Sequence, residues 1–496
     1  MHVLYLRQMC ISVVTIGGLL KKANAVLNGR HSSLTGSGNN EHDSTNARAY
    51  RYTVNYQEIS VDKIKLDLPA VTRRGFVKGG AALAAGAALA TTAGVANAQT
   101  ADGSSRAVKK EVDGKMTSTI DLDWKEVYYT NCPMVSANNV DQELGWCKTD
   151  FKAIGIDYSY FRSRRENDWY PHYIHNLDNL IRFGGLNPAI QVNADSRRTR
   201  LLGATWVHEG GCMAVRVADP IYRMKDLKGK RIALSKSLNT LKNDWWRVQE
   251  HMGILNMLMM NDMTVDDVEI VEFPYPDDWY GDPEMLEPLI NPTDLWYTRG
   301  HKHDLAFRPM EAALLRGKVD AIYTQSKVFQ HLQEATGKIR MVEDLSRYPD
   351  YNLQIANTPA VITCTDVMAE EHPELVVTYM KSMIKVGRWA NQYKQAAAAI
   401  LDRQTFYLDP HDTYLGIKEV DMVPNLSPMN ISIVTHGKDF MLKHGYIKRD
   451  FDVEKWAAPE FFEAAAKELV EEQWKKRSTE KLPKPTELQT KSRRLG

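Results

Sequence analysis

DLKGKRIALS (226–235) and AALLRGKVDAIYT (312–324) are the stretches on which the fold turns. The first reads as a short helical turn closed at Gly229, then an apolar strand running into a polar helix start. The second reads as a helix, a turn at Gly317 and another apolar strand. Glycine just past a helix and an apolar run just past the glycine are the ordinary signs of a helix-to-strand connection. Outward from these two units, strands are expected at 125–131, 153–161, 198–207, 210–217, 230–235, 268–275, 319–324 and 357–365. Helical periodicity lies at 136–147, 238–260, 309–317 and 367–400. Strands alternating with helices predict an α/β fold with mostly parallel sheets.

The chain has 496 residues, 43% hydrophobic and 25% charged, with Lys+Arg 63 against Asp+Glu 62. That balance excludes a disordered chain and argues against nucleic acid as a partner, because phosphate binding needs a basic surface. Five cysteines, none in a CxxC pair, give no zinc-ribbon spacing. Residues 71–98 read VTRRGFVKGGAALAAGAALATTAGVANA. Arg73-Arg74, a weakly apolar Ala/Gly run and Ala96-Asn97-Ala98 predict a twin-arginine export signal and a periplasmic mature chain. The remaining divisions are an unassigned extension (1–70), a flexible lead-in (99–120), a first lobe in two parts (121–216 and 349–464), a second lobe (217–348) and a charged tail (465–496).

The two opening units, in this order in an exported chain, resemble type II periplasmic binding proteins. The resemblance implies a two-lobed α/β fold with two hinge crossings and a ligand held between the lobes. Four further segments carry a closer likeness: YYTNCP (128–133), HYIHNLDNLIRFGG (172–185), RTRLLG (198–203) and KWAAPEFF (455–462). In order and spacing they resemble the 2′-hydroxybiphenyl-2-sulfinate desulfinases. That likeness implies a site of Cys132, His172 and Arg182, with Gly185 offering a backbone N–H; the chemistry of such a trio adds backbone N–H groups around Gly184 and requires no metal or organic cofactor. At 175 and 177 this sequence has His and Leu where the family has Tyr and Gln, and 262–308 has no match to it.

These residue types suit a sulfinate. Arginine is a permanent planar fork for two oxygens. A thiolate is a strong nucleophile, and a neighbouring cation raises its share near neutral pH. Histidine can relay the proton. Each residue also has a plainer reading. Cys132 is buried filler or a disulfide partner of Cys147, His172 a surface histidine, and Arg182 an ion-pair residue. Ser235, Ser237, Asn239 and Thr240 form either an anion-holding strand-to-helix junction or a helix cap. His208, Glu209, Gly210 and Gly211 line the cleft or make a tight turn. Trp245 and Trp246 stack on an aromatic ligand or belong to the core, where Cys364 is also expected. His172 and His175 make an HxxH without an evident third metal ligand. The leading expectation is a desulfinase-like hydrolase acting on a small anionic substrate. The alternative is a substrate-binding protein of an ABC-type importer, with a membrane permease as partner.

Overall fold

The computed structural model describes residues 110–112, 115–117, 124–132, 134–164, 167–205, 210–275, 277, 309–353, 359–405 and 409–479. The export signal, the extension before it, His208, Glu209 and most of 262–308 lie outside the described residues. Strands are numbered β1 (Lys110–Val112), β2 (Lys115–Thr117), β3 (Glu126–Asn131), β4 (Asp157–Tyr160), β5 (Leu180–Gly185), β6 (Thr199–Thr205), β7 (Cys212–Arg216), β8 (Arg231–Ser237), β9 (Glu269–Tyr275), β10 (Ala321–Thr324), β11 (Ile339–Asp344) and β12 (Ala360–Thr365).

Two five-stranded sheets form the lobes, in the orders β4-β3-β5-β12-β6 and β9-β8-β10-β7-β11. In the first, β3 runs parallel to β4 and β5, and β12 runs against β5 and β6. In the second, β8 runs parallel to β9 and β10, and β7 runs against β10 and β11. The two sheets therefore repeat one pattern, and in each the reversed strand is the one that a crossing between lobes delivers. The first crossing falls between β6 and β7, so Cys212–Arg216 belongs to the second sheet, earlier than the boundary expected after residue 216. The return crossing lies between β11 and β12. This is the two-lobed α/β fold of the periplasmic binding proteins.

Local chemistry explains where elements depart from the sequence reading. The helix expected over 136–147 is two, Ala137–Leu144 and Trp146–Ala153, because Gly145 is left-handed (φ 66°). The Asp141 carboxylate then accepts the N–H of Trp146 at 2.8 Å, capping the second helix. The helix expected from 238 starts at Trp245, where Asp244 caps it. The periodicity at 367–400 resolves into Asp366–Glu371, Pro373–Gln392 and Lys394–Gln404, since proline starts a helix more readily than it continues one. Strand β5 escapes the sequence pattern because all six residues are buried and show no alternation. The lead-in contains the antiparallel pair β1–β2. The charged tail is not simply solvated: the helix Pro459–Thr479 runs into it, and Phe461, Ala465 and Leu469 of that helix belong to the first lobe's buried core.

Candidate active site

Cys132 is the first residue beyond β3, and its N–H still donates to the Phe183 carbonyl at 3.1 Å, continuing the ladder to β5. From the other side Asn139, in the helix Ala137–Leu144, donates to the Cys132 carbonyl at 2.8 Å and to that of Met134. The thiol is thus fixed at the carboxyl end of a parallel strand, the usual ligand edge of an open α/β sheet.

His172 sits on a single helical turn, Pro171–Ile174. Its Nε2 lies 3.1 Å from the Cys132 sulfur, and its Nδ1 lies 2.6 Å from the Thr130 hydroxyl. One ring edge meets the thiol while the other is held by a strand hydroxyl, which fixes the ring's rotation. Thr130 is a site residue that the local motifs do not single out. Its signal is nonetheless in the sequence: two residues before Cys132, it occupies the same face of β3 by strand alternation.

Arg182 lies in β5, opposite Thr130 in the register. It is 1% exposed. Its Nε donates to the His172 carbonyl at 2.7 Å and its Nη2 to the Gly185 carbonyl at 3.0 Å. Nη1 is buried and has no hydrogen-bond partner among the described residues. Burial pulls the guanidinium pKa down, and the acidic groups bearing on it are the Cys132 thiol and the Tyr173 phenol rather than a carboxylate. A buried cation without a carboxylate counter-ion is costly, and an arriving anion offsets that cost.

Gly184 marks the point where the three groups meet. A Cβ placed there would lie 2.9 Å from the Cys132 sulfur and 3.2 Å from both Arg182 Nη2 and His172 Cε1. Gly184→Ala is therefore expected to keep the fold and to lower stability by about 1–3 kcal/mol through overpacking, because the Cys132 sulfur must shift to admit the methyl group; thermal melts check it.

The other candidates fall into distinct places. Gly185 meets the site through its carbonyl. Ser235 lies in the second lobe, and its N–H is taken by the Glu250 carboxylate at 2.8 Å. Burial pushes the Glu250 carboxyl pKa well up, and the Ser235 side chain is itself fully buried. The Ser237 N–H is likewise taken by Asp244. The Gly210 N–H donates to the Ser346 hydroxyl and its carbonyl accepts from the Tyr323 hydroxyl, while Gly211 is left-handed (φ 77°). Trp245 and Trp246 stack on each other, centroids 5.2 Å apart, and Trp245 joins the first lobe's core. Cys364 and Cys147 are buried, and Cys132 and Cys147 both keep their thiols, with no disulfide between them. His175 turns away from His172 in a left-handed conformation and pairs with the Leu180 carbonyl at 3.1 Å.

Burial, followed by the nearby Arg182 and Arg197, pushes the His175 pKa down to about 3. The unfolded chain binds a proton at this position below about pH 6.5 and the folded chain does not. Stability should therefore fall on acidification from 6.5 toward 3, by about 1.4 kcal/mol per pH unit from this group. His175→Asn, which tolerates φ > 0, should flatten that part of the acid slope in denaturant titrations between pH 5 and 7.

A thiol, an imidazole and a buried guanidinium meet at one sheet edge of a periplasmic-binding-protein fold. No family model matches the chain. The chain is homologous to 2′-hydroxybiphenyl-2-sulfinate desulfinase of Rhodococcus erythropolis and of Rhodococcus qingshengii, at 26% identity in each case, over 67% of this chain and 91% of the relative. Among solved structures it is similar to the desulfurization enzyme DSZB bound to biphenyl-2-sulfinic acid (24% identity, TM-score 0.54, 69% of this chain and 99% of that one). It is also similar to a periplasmic sulfonate-binding protein, SsuA, of Methylobacillus flagellatus (15% identity, TM-score 0.50, 70% and 96%). These structural likenesses show the fold.

Proposed function

We propose that this protein is an exported desulfinase-like hydrolase that cleaves the carbon–sulfur bond of an organic, aromatic sulfinate and releases sulfite. The observation that carries the reading is the buried Arg182, whose Nη1 has no partner among the described residues, meeting a thiol and an imidazole around Gly184. Arg182 holds the sulfinate oxygens, and the Gly184 and Gly185 backbone lines their approach. Two routes balance. In one, the Cys132 thiol protonates the ring carbon as the C–S bond breaks. Sulfur dioxide leaves and adds water to give bisulfite and a proton, which returns to the thiolate through His172. In the other, the Cys132 thiolate attacks sulfur, the ring carbon takes a proton from His172, and water cleaves the Cys–S–SO₂⁻ adduct to thiol and bisulfite. A quenched enzyme heavier by the mass of sulfur dioxide distinguishes the second route from the first. Neither route calls on a metal or an organic cofactor.

The 2′-hydroxybiphenyl-2-sulfinate desulfinases act on such a substrate, and the desulfurization enzyme DSZB binds biphenyl-2-sulfinic acid in the same fold. Export by the twin-arginine route delivers a folded chain to the periplasm with its thiol still reduced. The resemblance to a sulfonate-binding protein favours one other reading, capture of an anion for a membrane permease. Sulfite release from biphenyl-2-sulfinate and from simpler aryl sulfinates decides between them. Turnover establishes the enzyme, whereas saturable thermal stabilisation without sulfite leaves the carrier.

A further inference from the structure

The second lobe reaches across to the short turn that carries His172. Between β8 and the helix Trp245–Met260, the segment Ser237–Asp244 is stiffened internally. The Ser237 hydroxyl donates to Asp277 at 2.9 Å, the Asn239 N–H donates to the Ser237 hydroxyl at 3.1 Å, and the Leu241 N–H donates to the Asn239 side chain at 2.8 Å. Two side chains of this segment then contact the residues flanking His172. Asn239 donates to the Tyr170 hydroxyl at 3.2 Å. The Lys242 ammonium stands over the Tyr173 ring, 5.4 Å from its centroid, while paired to Asp277. Tyr173 in turn meets the His172 ring edge-on at 4.8 Å. The Lys242 and Asp277 side chains are only 1% and 4% exposed.

A buried ion pair is a poor stabilising device compared with packed apolar side chains, and its value lies in fixing geometry. The turn that bears His172 is four residues long, too short to hold the ring within hydrogen-bond reach of the thiol by its own backbone bonds. We infer that Lys242 and Asn239 are positioning residues of the second lobe. They hold Tyr173 and Tyr170, and through them set the His172 imidazole against Cys132. Assembly of the thiol–imidazole pair is thereby tied to closure of the two lobes. The catalytic consequence rests on the desulfinase reading, whereas the coupling itself is a property of the thiol and can be read without turnover.

The test is the pH profile of Cys132 alkylation by iodoacetamide, followed by mass spectrometry of the Cys132 peptide in the full chain. Wild type is compared with Asn239→Ala, Tyr170→Phe, Lys242→Met and Lys242→Met/Asp277→Asn. The last removes the pair together, so that no buried carboxylate is stranded. Loosening the turn should displace the profile from that of wild type, because the imidazole no longer stands beside the thiol. A profile displaced by one pH unit means an alkylation rate changed about tenfold on its acid side. Lys242→Arg, which keeps the charge over the ring, should return the profile most of the way to wild type. With a sulfinate substrate kcat should fall in parallel and KM should change less, because Arg182 itself is kept and loses at most its bond to the His172 carbonyl. Profiles of the folded variants that superimpose on wild type overturn the inference. If a Lys242 variant does not fold, Asn239→Ala and Tyr170→Phe decide alone. Shifted profiles in a protein that releases no sulfite would uphold the coupling and reject the desulfinase reading, so the two can fail separately.

Discussion

Arg182→Met should abolish the response to sulfinate while leaving the fold as stable as before, or more stable. The cause is electrostatic. The guanidinium is buried, and one of its nitrogens has no partner among the described residues. Desolvating such a group costs several kcal/mol, and methionine removes that cost while filling a similar volume. What is lost is the charge-assisted pair of hydrogen bonds to the anion. Removing one such donor from a preorganised site typically costs about 10²–10³ in rate. The whole fork should cost at least that, and much of it should appear in KM. Arg182→Lys should recover only part, since an ammonium cannot address two oxygens in one plane. Melts with and without biphenyl-2-sulfinate give the clearest contrast. Wild type should be stabilised by the ligand, and the methionine variant should melt at one temperature in both conditions. A ligand shift that survives in Arg182→Met would remove this residue from the site.

Cys132→Ser should leave binding in place and stop chemistry. The hydroxyl occupies the same position beside His172, 3.1 Å from Nε2 in the thiol form. It is a far weaker nucleophile, and its proton is harder to remove. Sulfite release is expected to drop by about 10³-fold or more, with ligand-induced stabilisation retained. Serine that turns over as fast as cysteine would show that the sulfur takes no part in bond cleavage. Bond cleavage would then have to be assigned to His172 and Arg182 without the thiol.

The sequence made the two-lobed scaffold legible through its strand-and-turn units, because β8 and β10 are short apolar runs bounded by glycine. It did not reveal β5, since a strand covered on both faces carries no alternation. It also did not locate the first crossing, because β7 reads like any other strand until its partners are known. Cys132, His172 and Arg182 could be named from local motifs, and the fold places them around Gly184. Thr130 needed only the two-residue period of a strand. Asn239 and Lys242 could not be assigned a place at the site from spacing alone. Their role depends on a contact between lobes that are distant in sequence, and the polar segment 237–244 reads equally well as a helix cap. The partner of the Ser235 N–H was hidden for a related reason: Glu250 comes from a helix turn 15 residues away.

The way the chain threads its two sheets has a consequence for engineering. Cys132, His172 and Arg182 all come from the portion before the first crossing. The second sheet, from Cys212 to Asp344, is one uninterrupted stretch inserted between the halves of the first. The thiol, imidazole and guanidinium, and the Asn239 and Lys242 that contact the turn beside them, are thus encoded in separable blocks of the gene. Exchanging the inner block between homologues offers a route to new substrate preference with the reactive centre left as it is, provided the graft carries its own counterparts of Asn239 and Lys242.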